Sequence, residues 1–217
     1  MNSYIDHTNL KMDATLRDIE KLCDEAAKNN FASVCVHPYY VSLASELLKD
    51  TNVAVCTVVG FPLGMNTTAT KVYEAIGAVE NGADEIDMVI NVGALKNKDF
   101  EYVKEEIEEV RDAIDGKILK VIIETCYLTK EEIVKMIEMC NETFVNFIKT
   151  STGFGINGAT VEEVELINKH KSDVLEIKAS GGIKDYETAL KMIEAGATRL
   201  GTSSGLKTME CVKDEIV

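Results

Sequence analysis

The feature that most constrains the fold is the alternation of eight short apolar segments with segments of helical periodicity along the 217 residues. Apolar segments rich in β-branched residues favour strands, and strands that alternate with helices typically form a parallel sheet covered by helices. The predicted strands are residues 4–7, 32–36, 53–59, 85–90, 119–124, 147–149, 174–178 and 199–201. Eight strands in a chain of this length favour a closed (β/α)8 TIM barrel over an open doubly wound sheet, which normally has fewer strands.

Helix starts are marked by capping boxes, in which a threonine is followed three residues later by an acidic side chain. Thr15, Thr129 and Thr160 each begin such a motif. After the fourth predicted strand, apolar residues from Val103 to Ile114 recur at helical spacing among glutamates. This pattern predicts a helix with one buried stripe and a solvated acidic face.

Composition indicates one globular domain over residues 1–217, because this length allows one substantial core and no linker-like segment interrupts the pattern. A net charge of −14 argues against nucleic acid as a partner. No apolar segment is long enough to cross a membrane, and no secretion signal precedes the first predicted strand, so a cytoplasmic location is expected. The six cysteines and three histidines show no metal-ligand spacing, so we predict no metal and mostly buried, reduced thiols.

Two lysines end the sixth and seventh predicted strands, and small residues and glycine follow each of them. Side chains alternate across a strand, so if Ile148 and Ile177 face the helices, Lys149 and Lys178 both point into the barrel. The same alternation places Asp87 inside. A lysine reacts with a carbonyl only when its amine is unprotonated, and a neighbouring cation disfavours its protonation. We therefore predict a catalytic pair at the end of the barrel where the strands finish.

Other charged residues on the predicted strands compete with the central three. Lys120 lies near the start of its strand, and we expect it to lie toward the structural end of the barrel. Glu85 and Glu176 lie one residue pair below Asp87 and Lys178, so we predict that both are internal salt-bridge partners.

Glycine-bearing loops follow the last three predicted strands. Glycine lets backbone N–H groups converge on an anion, and barrel enzymes commonly bind phosphate in the loops after strands seven and eight. The three loops together favour a phosphate site over ordinary turns, with Gly153, Gly181, Gly182, Gly201, Ser203 and Ser204 as its candidate residues. Asp6, Thr8 and Cys35, at the ends of the first two strands, are candidates for lining the pocket.

Long ordered motifs in these segments resemble those of the deoxyribose-phosphate aldolase family. They are IDHT, ASVCV, VGFPLG, GADEIDMV, VIIET, FIKTSTG, IKASGG and GTSSG, and the resemblance covers nearly the whole chain. It implies a class I aldolase of the barrel fold that needs no cofactor. The implied reaction is the reversible cleavage of 2-deoxy-D-ribose 5-phosphate to D-glyceraldehyde 3-phosphate and acetaldehyde, in deoxyribose phosphate catabolism.

The resemblance also implies roles for the central residues. Lys149 would form the Schiff base, Lys178 would lower the pKa of Lys149 and relay protons, and Asp87 would exchange protons with Lys178 and water. The chain departs from the family pattern at His37, where many relatives carry asparagine, and at Phe154, where some place a lysine near the phosphate. It also ends at residue 217, without the terminal tyrosine of some members. Slower proton transfer and weaker phosphate binding are the expected consequences.

Alternative functions fit the same residues. Another Schiff-base aldolase or a phosphosugar isomerase would use the same loops and barrel, and a noncatalytic phosphosugar sensor would keep only the phosphate site. In each case the partners are small phosphosugars, or the aldehydes formed from them. A homo-oligomer is also expected, with a two-fold dimer favoured.

Overall fold

The computed structural model describes residues 1–210, which form a closed barrel of eight parallel strands in sequential order, and this confirms the predicted fold class. The strands are β1 Ile5–Asn9, β2 Ser33–Val36, β3 Ala54–Val59, β4 Glu85–Val89, β5 Ile118–Ile122, β6 Phe147–Lys149, β7 Glu176–Ser180 and β8 Arg199–Thr202. β1 pairs with both β2 and β8, which closes the barrel.

The helices lie outside the barrel. They are α1 Leu16–Asn29, α2 Val41–Leu48, α3 Thr68–Glu80, α4 Val92–Lys96, α5 Phe100–Ala113, α6 Lys130–Glu142, α7 Val161–His170, α8 Tyr186–Glu194 and α9 Gly205–Met209. The capping boxes predicted at Thr15, Thr129 and Thr160 are confirmed, each with reciprocal hydrogen bonds. Within residues 1–210, every helix falls short of the length and apolarity that a bilayer crossing requires.

The strand boundaries differ from the prediction by one or two residues. β7 begins at Glu176 rather than at Val174, whose side chain is exposed. β1 continues to Asn9, beyond the predicted end, because Asn9 pairs with Val36 of β2. Parallel pairing with the neighbouring strand, which the local sequence does not encode, sets these ends.

The apolar core lies between the barrel wall and the helices. Ile86, Ile148 and Ile177 are buried in this core as the alternation predicts. Val103 and Ile107 of α5 are buried there too. The hydrophobic effect therefore acts mainly between the strands and the helices, whereas charged side chains lie inside the barrel.

The prediction of a fully solvated acidic face on α5 is wrong at Glu106. Its carboxylate is buried and lies 2.6 Å from the Nζ atom of Lys71 on α3. The Nζ atom also donates to the carbonyl oxygen of Val89, and the second oxygen of Glu106 accepts from the N–H of Asn91. We call Lys71 and Glu106 the outer pair. Its hydrogen bonds hold the backbone at the end of β4, and the opposite charges compensate each other for the loss of water.

Candidate active site

Charged side chains from six strands fill the barrel along its axis. We call this set the axial network; it consists of Asp6, Glu85, Asp87, Lys120, Lys149, Lys178 and Arg199. All except Arg199 are classed as buried, and Arg199 is largely so. Groups this deeply buried retain charge only when opposite charges and hydrogen bonds compensate the loss of water.

The structure brings Lys149, Lys178 and Asp87 together. The Nζ atom of Lys149 lies 2.8 Å from Oδ2 of Asp87, and the Nζ atom of Lys178 lies 2.7 Å from the same oxygen. The two lysines are direct register partners on β6 and β7. Because both Nζ atoms contact the same oxygen of Asp87, the two lysine nitrogens lie close to each other. A carboxylate between them reduces the direct lysine–lysine repulsion that the sequence alone suggested.

Electrostatic surroundings keep Lys178 protonated and Asp87 ionised. Burial by itself would lower the pKa of Lys178, but Asp6, with Oδ2 2.5 Å from Nζ, and Asp87 raise that pKa above its usual value. Burial would likewise raise the pKa of Asp87, but Lys120, Lys149 and Lys178 hold it well below its ordinary range. Both groups are thus charged at neutral pH.

Lys120 is more deeply involved than the sequence suggested. Its Nζ atom lies 2.6 Å from Glu85 and 2.7 Å from Oδ1 of Asp87, so the side chain reaches from the lower layer to the catalytic layer. The prediction that Lys120 lies toward the structural end of the barrel is therefore right for its contact with Glu85 and wrong for its contact with Asp87. The side chain of a lysine is long enough to span two layers of the barrel.

Glu85 and Glu176 behave differently although their parity is the same. Glu85 pairs with Lys120 and with Arg199, which confirms it as an internal salt-bridge partner. Glu176 is exposed at the start of β7, so that prediction is wrong. Both glutamates begin their strands, so neither parity nor position along the strand separates them. Glu85 faces Lys120 and Arg199, whereas the carboxylate of Glu176 faces solvent.

The axial network contains more cations than carboxylates. Within residues 1–210 it has four cationic side chains and three carboxylates. Lys120 lies within 4.0 Å of three of these carboxylates and Lys178 of two, whereas Lys149 has only Asp87. Lys149 is therefore the lysine of the network with the fewest carboxylates within 4.0 Å.

A cavity of about 550 Å³ opens above Lys149 at the end of the barrel where the strands finish. Seven of the predicted residues line it: Thr8, Lys149, Gly153, Gly181, Gly182, Gly201 and Ser203. Gly181 has φ of +80°, and a Cβ atom there would lie 2.9 Å from the Cα atom of Gly158. The loop after β7 therefore requires glycine at this position.

Ser204 does not line this cavity, contrary to the prediction. Its N–H donates to Oγ1 of Thr202 at 2.9 Å, so this group already has a partner. Among the three candidate lining residues, Thr8 faces the cavity, but Asp6 and Cys35 do not. Asp6 lies in the axial network because its partners there are cations. Cys35 packs in a small buried apolar cluster, as suits a small hydrophobic side chain.

Several residues of the site were not predicted from the sequence. Lys184 lines the cavity just beyond the glycines of the loop after β7, a position that could have indicated it. Glu124 follows β5 with a left-handed backbone, φ 52°, and its carboxylate accepts from both the N–H and the hydroxyl of Thr152. Strained backbone of this kind is common at functional sites, but the local sequence gives no sign of it.

The positions that depart from the family pattern lie at different places. Phe154 lines the cavity, and its ring packs edge-on against Phe61 with centroids 5.3 Å apart. His37 lies outside the cavity lining, and its Nε2 atom lies 3.0 Å from the carbonyl oxygen of Leu10. The third departure, the lack of a terminal tyrosine, concerns residues 211–217, which lie outside the described residues.

Two clusters in the barrel have spacing that a metal ion could use. They are Cys35 with Cys56 and Asp87, and Asp6 with Cys56 and Glu85. The carboxylates of both clusters are already bound by lysine or arginine. A further positive charge would be opposed by the excess of cations, so these residues do not fit a metal site.

Comparisons with known proteins give one consistent family. The family described as DeoC/LacD family aldolase matches residues 1–210. A deoxyribose-phosphate aldolase of Carboxydothermus hydrogenoformans is 59% identical over 210 residues, which cover 95% of this chain and 92% of the relative. One from Thermococcus kodakarensis is 57% identical over 216 residues, which cover 98% and 96%.

Solved structures agree with this result. A protein described as QR15, an aldolase, has a TM-score of 0.92 at 47% identity, covering 95% of this chain and 92% of its own. A tetrameric deoxyribose phosphate aldolase from Aeropyrum pernix has a TM-score of 0.91 at 30% identity, covering 98% and 91%.

Proposed function

The chain belongs to the DeoC/LacD family of aldolases, and from this premise we propose that it reversibly cleaves 2-deoxy-D-ribose 5-phosphate through a Schiff base on Lys149. The products would be D-glyceraldehyde 3-phosphate and acetaldehyde, which places the reaction in deoxyribose phosphate catabolism. The names of the relatives support the substrate. The observation that carries the mechanism is the position of Lys149, between a cation-rich network and a cavity rimmed by glycine loops.

Lys149 is the best candidate for the nucleophile. An amine adds to an aldehyde only in its unprotonated form. The excess of cations favours loss of one proton from the axial network, and Lys149 has fewer carboxylate partners than Lys120 or Lys178. Lys149 also lines the cavity. Both geometry and charge therefore support the same residue.

The chemistry that follows balances without a redox partner. The Lys149 amine adds to C1 of the open-chain sugar, and loss of water gives a protonated imine. A base removes the proton of the 3-hydroxyl, the C2–C3 bond breaks, and its electron pair forms an enamine with the imine carbon. D-Glyceraldehyde 3-phosphate leaves. Protonation of the enamine at C2 and addition of water then release acetaldehyde and the free amine.

Asp87 and Lys178 are placed to serve these proton transfers. Asp87 shares one oxygen with Lys149 and Lys178, so it connects the reacting amine to a protonated neighbour. Its lowered pKa favours the ionised form, and in our proposal Lys178 and bound water carry the proton while Asp87 orients them.

The phosphate would bind in the same cavity, where the chain leaves β7 and β8. Gly181 and Gly182 follow β7, Gly201 lies near the end of β8 and Ser203 follows it, and Lys184 provides a cation that lines the same cavity. Backbone N–H groups with a nearby cation suit a phosphate dianion. Phe154 supplies no charge there, which is consistent with the expectation of weaker phosphate binding.

Reductive trapping tests the proposal. Incubation with 2-deoxyribose 5-phosphate and borohydride should attach the sugar-derived group to the peptide containing residues 147–153, and the Lys149→Met variant should not be labelled. Label on another lysine would contradict the assignment. Absence of trapping together with isomerised product would favour a phosphosugar isomerase, and a product other than acetaldehyde would indicate another aldolase.

The cytoplasmic location, the single domain and the two-fold dimer stay predictions. Size-exclusion chromatography tests the dimer.

A further inference from the structure

His7 is a polar residue in a position where an apolar one is expected. On β1, Asp6 and Thr8 face the barrel interior, so His7 between them faces the helices, as Ile5 does in the apolar core. The ring of His7 is buried and packs edge-on against Phe31 with centroids 5.3 Å apart. A buried polar side chain in such a layer requires a physical reason.

One nitrogen of His7 has a clear partner and the other does not. Nε2 lies 2.8 Å from a carboxylate oxygen of Glu25 on α1, which fixes the rotation of the ring. Nδ1 is buried and has no hydrogen-bond partner within residues 1–210. An unsatisfied buried nitrogen is unfavourable for folding, so stability alone does not explain a histidine here.

The edge of the ring that carries Nδ1 lies against the loop after β8. A Cβ atom added to Gly205 would lie 2.7 Å from Nδ1 of His7 and 3.1 Å from a ring carbon of Phe31. The backbone at Gly205 therefore rests directly on the imidazole. Two residues earlier in the chain, Ser203 lines the cavity, and His7 and Glu25 border the same cavity.

His7 also lies at the junction of the two loops proposed to bind phosphate. It is the register partner of Thr202 across the β1–β8 pair. The hydroxyl of Thr202 donates to the carbonyl oxygen of Ile183 at 2.7 Å and accepts from the N–H of Ser204 at 2.9 Å. A shift of the loop on the ring would therefore also reach the loop that contains Gly182.

We propose that His7, held in place by Glu25, is a positioning residue for phosphate binding. The imidazole, at the border of the cavity, supports the segment from Gly201 to Gly205 through its contact with Gly205 and so fixes the groups of that segment that face the phosphate. His7 acts through the loop and has no part in the chemistry at Lys149. The inference rests on the proposed function, because it assumes that a phosphate binds at these loops.

Kinetics with two sugars test this role. For 2-deoxyribose 5-phosphate, His7→Ala should raise KM about tenfold, the size expected when hydrogen bonds to a charged group are weakened, with kcat changed by less than about twofold. For unphosphorylated 2-deoxyribose, kcat/KM should be unchanged. Glu25→Ala should resemble His7→Ala, whereas Glu25→Gln, which keeps a hydrogen-bonding group of the same shape, should restore nearly normal KM.

A second variant examines the same contact from the loop. Gly205→Ala places a methyl group against Nδ1, so it should raise KM for the phosphorylated sugar alone, and it decides the matter if His7→Ala does not fold. His170→Ala, at an exposed position on α7, is the matched control and should change neither sugar's kinetics.

Equal losses with both sugars, or a loss in kcat alone, would overturn the proposal, because His7 would then support the barrel or the chemistry. Unchanged kinetics in both His7→Ala and Gly205→Ala would also overturn it. A wild-type enzyme that shows no preference for the phosphorylated sugar would instead remove the proposed phosphate site, and this inference with it.

Discussion

The axial network and the outer pair are both buried sets of lysines and carboxylates, but they are built differently. In the outer pair one cation, Lys71, faces one carboxylate, Glu106, and backbone groups complete the contacts. In the axial network, cations outnumber carboxylates and one lysine borders a cavity. Neither burial nor pairing distinguishes a reactive lysine from a structural one, since both sets have them.

The pKa shifts of the two sets run in opposite directions. Burial lowers the pKa of Lys71 and raises that of Glu106, and their mutual attraction does not fully compensate. In the axial network, burial acts in the same sense, but several opposite charges outweigh it, so the pKa of Lys178 is raised and that of Asp87 is lowered. What separates the functional set is therefore surplus charge and access to a cavity.

The largest expected effect is the loss of activity in Lys149→Met. Without the amine no imine forms, so acetaldehyde release should fall at least about 10³-fold, as when other covalent nucleophiles are removed. The readout is a coupled assay for acetaldehyde, with Lys169→Met, at an exposed position on α7, as the matched control. Substantial turnover by Lys149→Met would mean that Lys149 does not differ in function from Lys71.

Lys178→Leu should lose most activity at neutral pH, about 10²-fold or more, because proton transfer is impaired and Asp87 has lost a cationic partner. With Lys178 gone, the charge of Asp87 holds the proton of Lys149 more firmly. Steady-state rates from pH 6 to 10 measure this, and part of the activity should return at high pH. Unchanged turnover at neutral pH would refute the pairing of the two lysines.

Lys71→Met should affect stability rather than chemistry. Removing one partner of a buried pair leaves Glu106 as an uncompensated charge, which typically destabilises by about 3–5 kcal/mol. Urea unfolding measures the change, and kcat of the folded fraction should stay within about threefold of wild type. The double variant Lys71→Met/Glu106→Leu should recover much of the loss. A variant that is stable but inactive would place the outer pair in the mechanism.

A smaller effect is expected in acid. The pKa values of Asp6 and Asp87 lie below the ordinary 3.8, so the unfolded chain takes up protons first and the free energy of unfolding falls as pH drops through and below 3.8. The pKa of Glu106 lies above the ordinary 4.5, so its protonation favours the folded state as pH falls.

The same double variant, Lys71→Met/Glu106→Leu, separates the two contributions. It should keep the acid loss and show it slightly more steeply than wild type, because the opposing gain from Glu106 is absent. Urea unfolding followed by circular dichroism between pH 3 and pH 6 measures the slopes. If the double variant were insensitive to acid, the acid lability would belong to the outer pair instead.

Strand alternation was sufficient to predict the orientation of the central residues. Lys149 and Lys178 point inward because each follows an outward isoleucine, and their register confirms that they are neighbours. The position of Asp87 between them was not predictable, because it lies 62 residues from Lys149 along the chain. The ion pair of Arg199 with Asp6 was not predictable for the same reason. The two residues lie 193 positions apart in the chain, and the pairing of β1 with β8 brings them together.

The wrong predictions share a cause. Glu106 was assigned to solvent because helical periodicity describes one helix, and its partner Lys71 lies on another. Glu176 was assigned to the interior because parity gives the direction of a side chain but not its depth in the barrel. Ser204 follows the cavity residue Ser203, but its N–H donates to Thr202 and it does not line the cavity. Cys35 was placed in the pocket from its strand end alone, and it packs in an apolar cluster instead.

By itself, the sequence determined the barrel, the helix starts, the family and the inward orientation of the two lysines. These follow from local periodicity, capping chemistry and contiguous motifs, all of which act over a few residues. Only the tertiary structure decided which carboxylates neutralise which lysines, and which of the buried lysines borders the cavity. Those outcomes depend on distances between strands remote in sequence, and electrostatic energies change steeply with such distances and with burial.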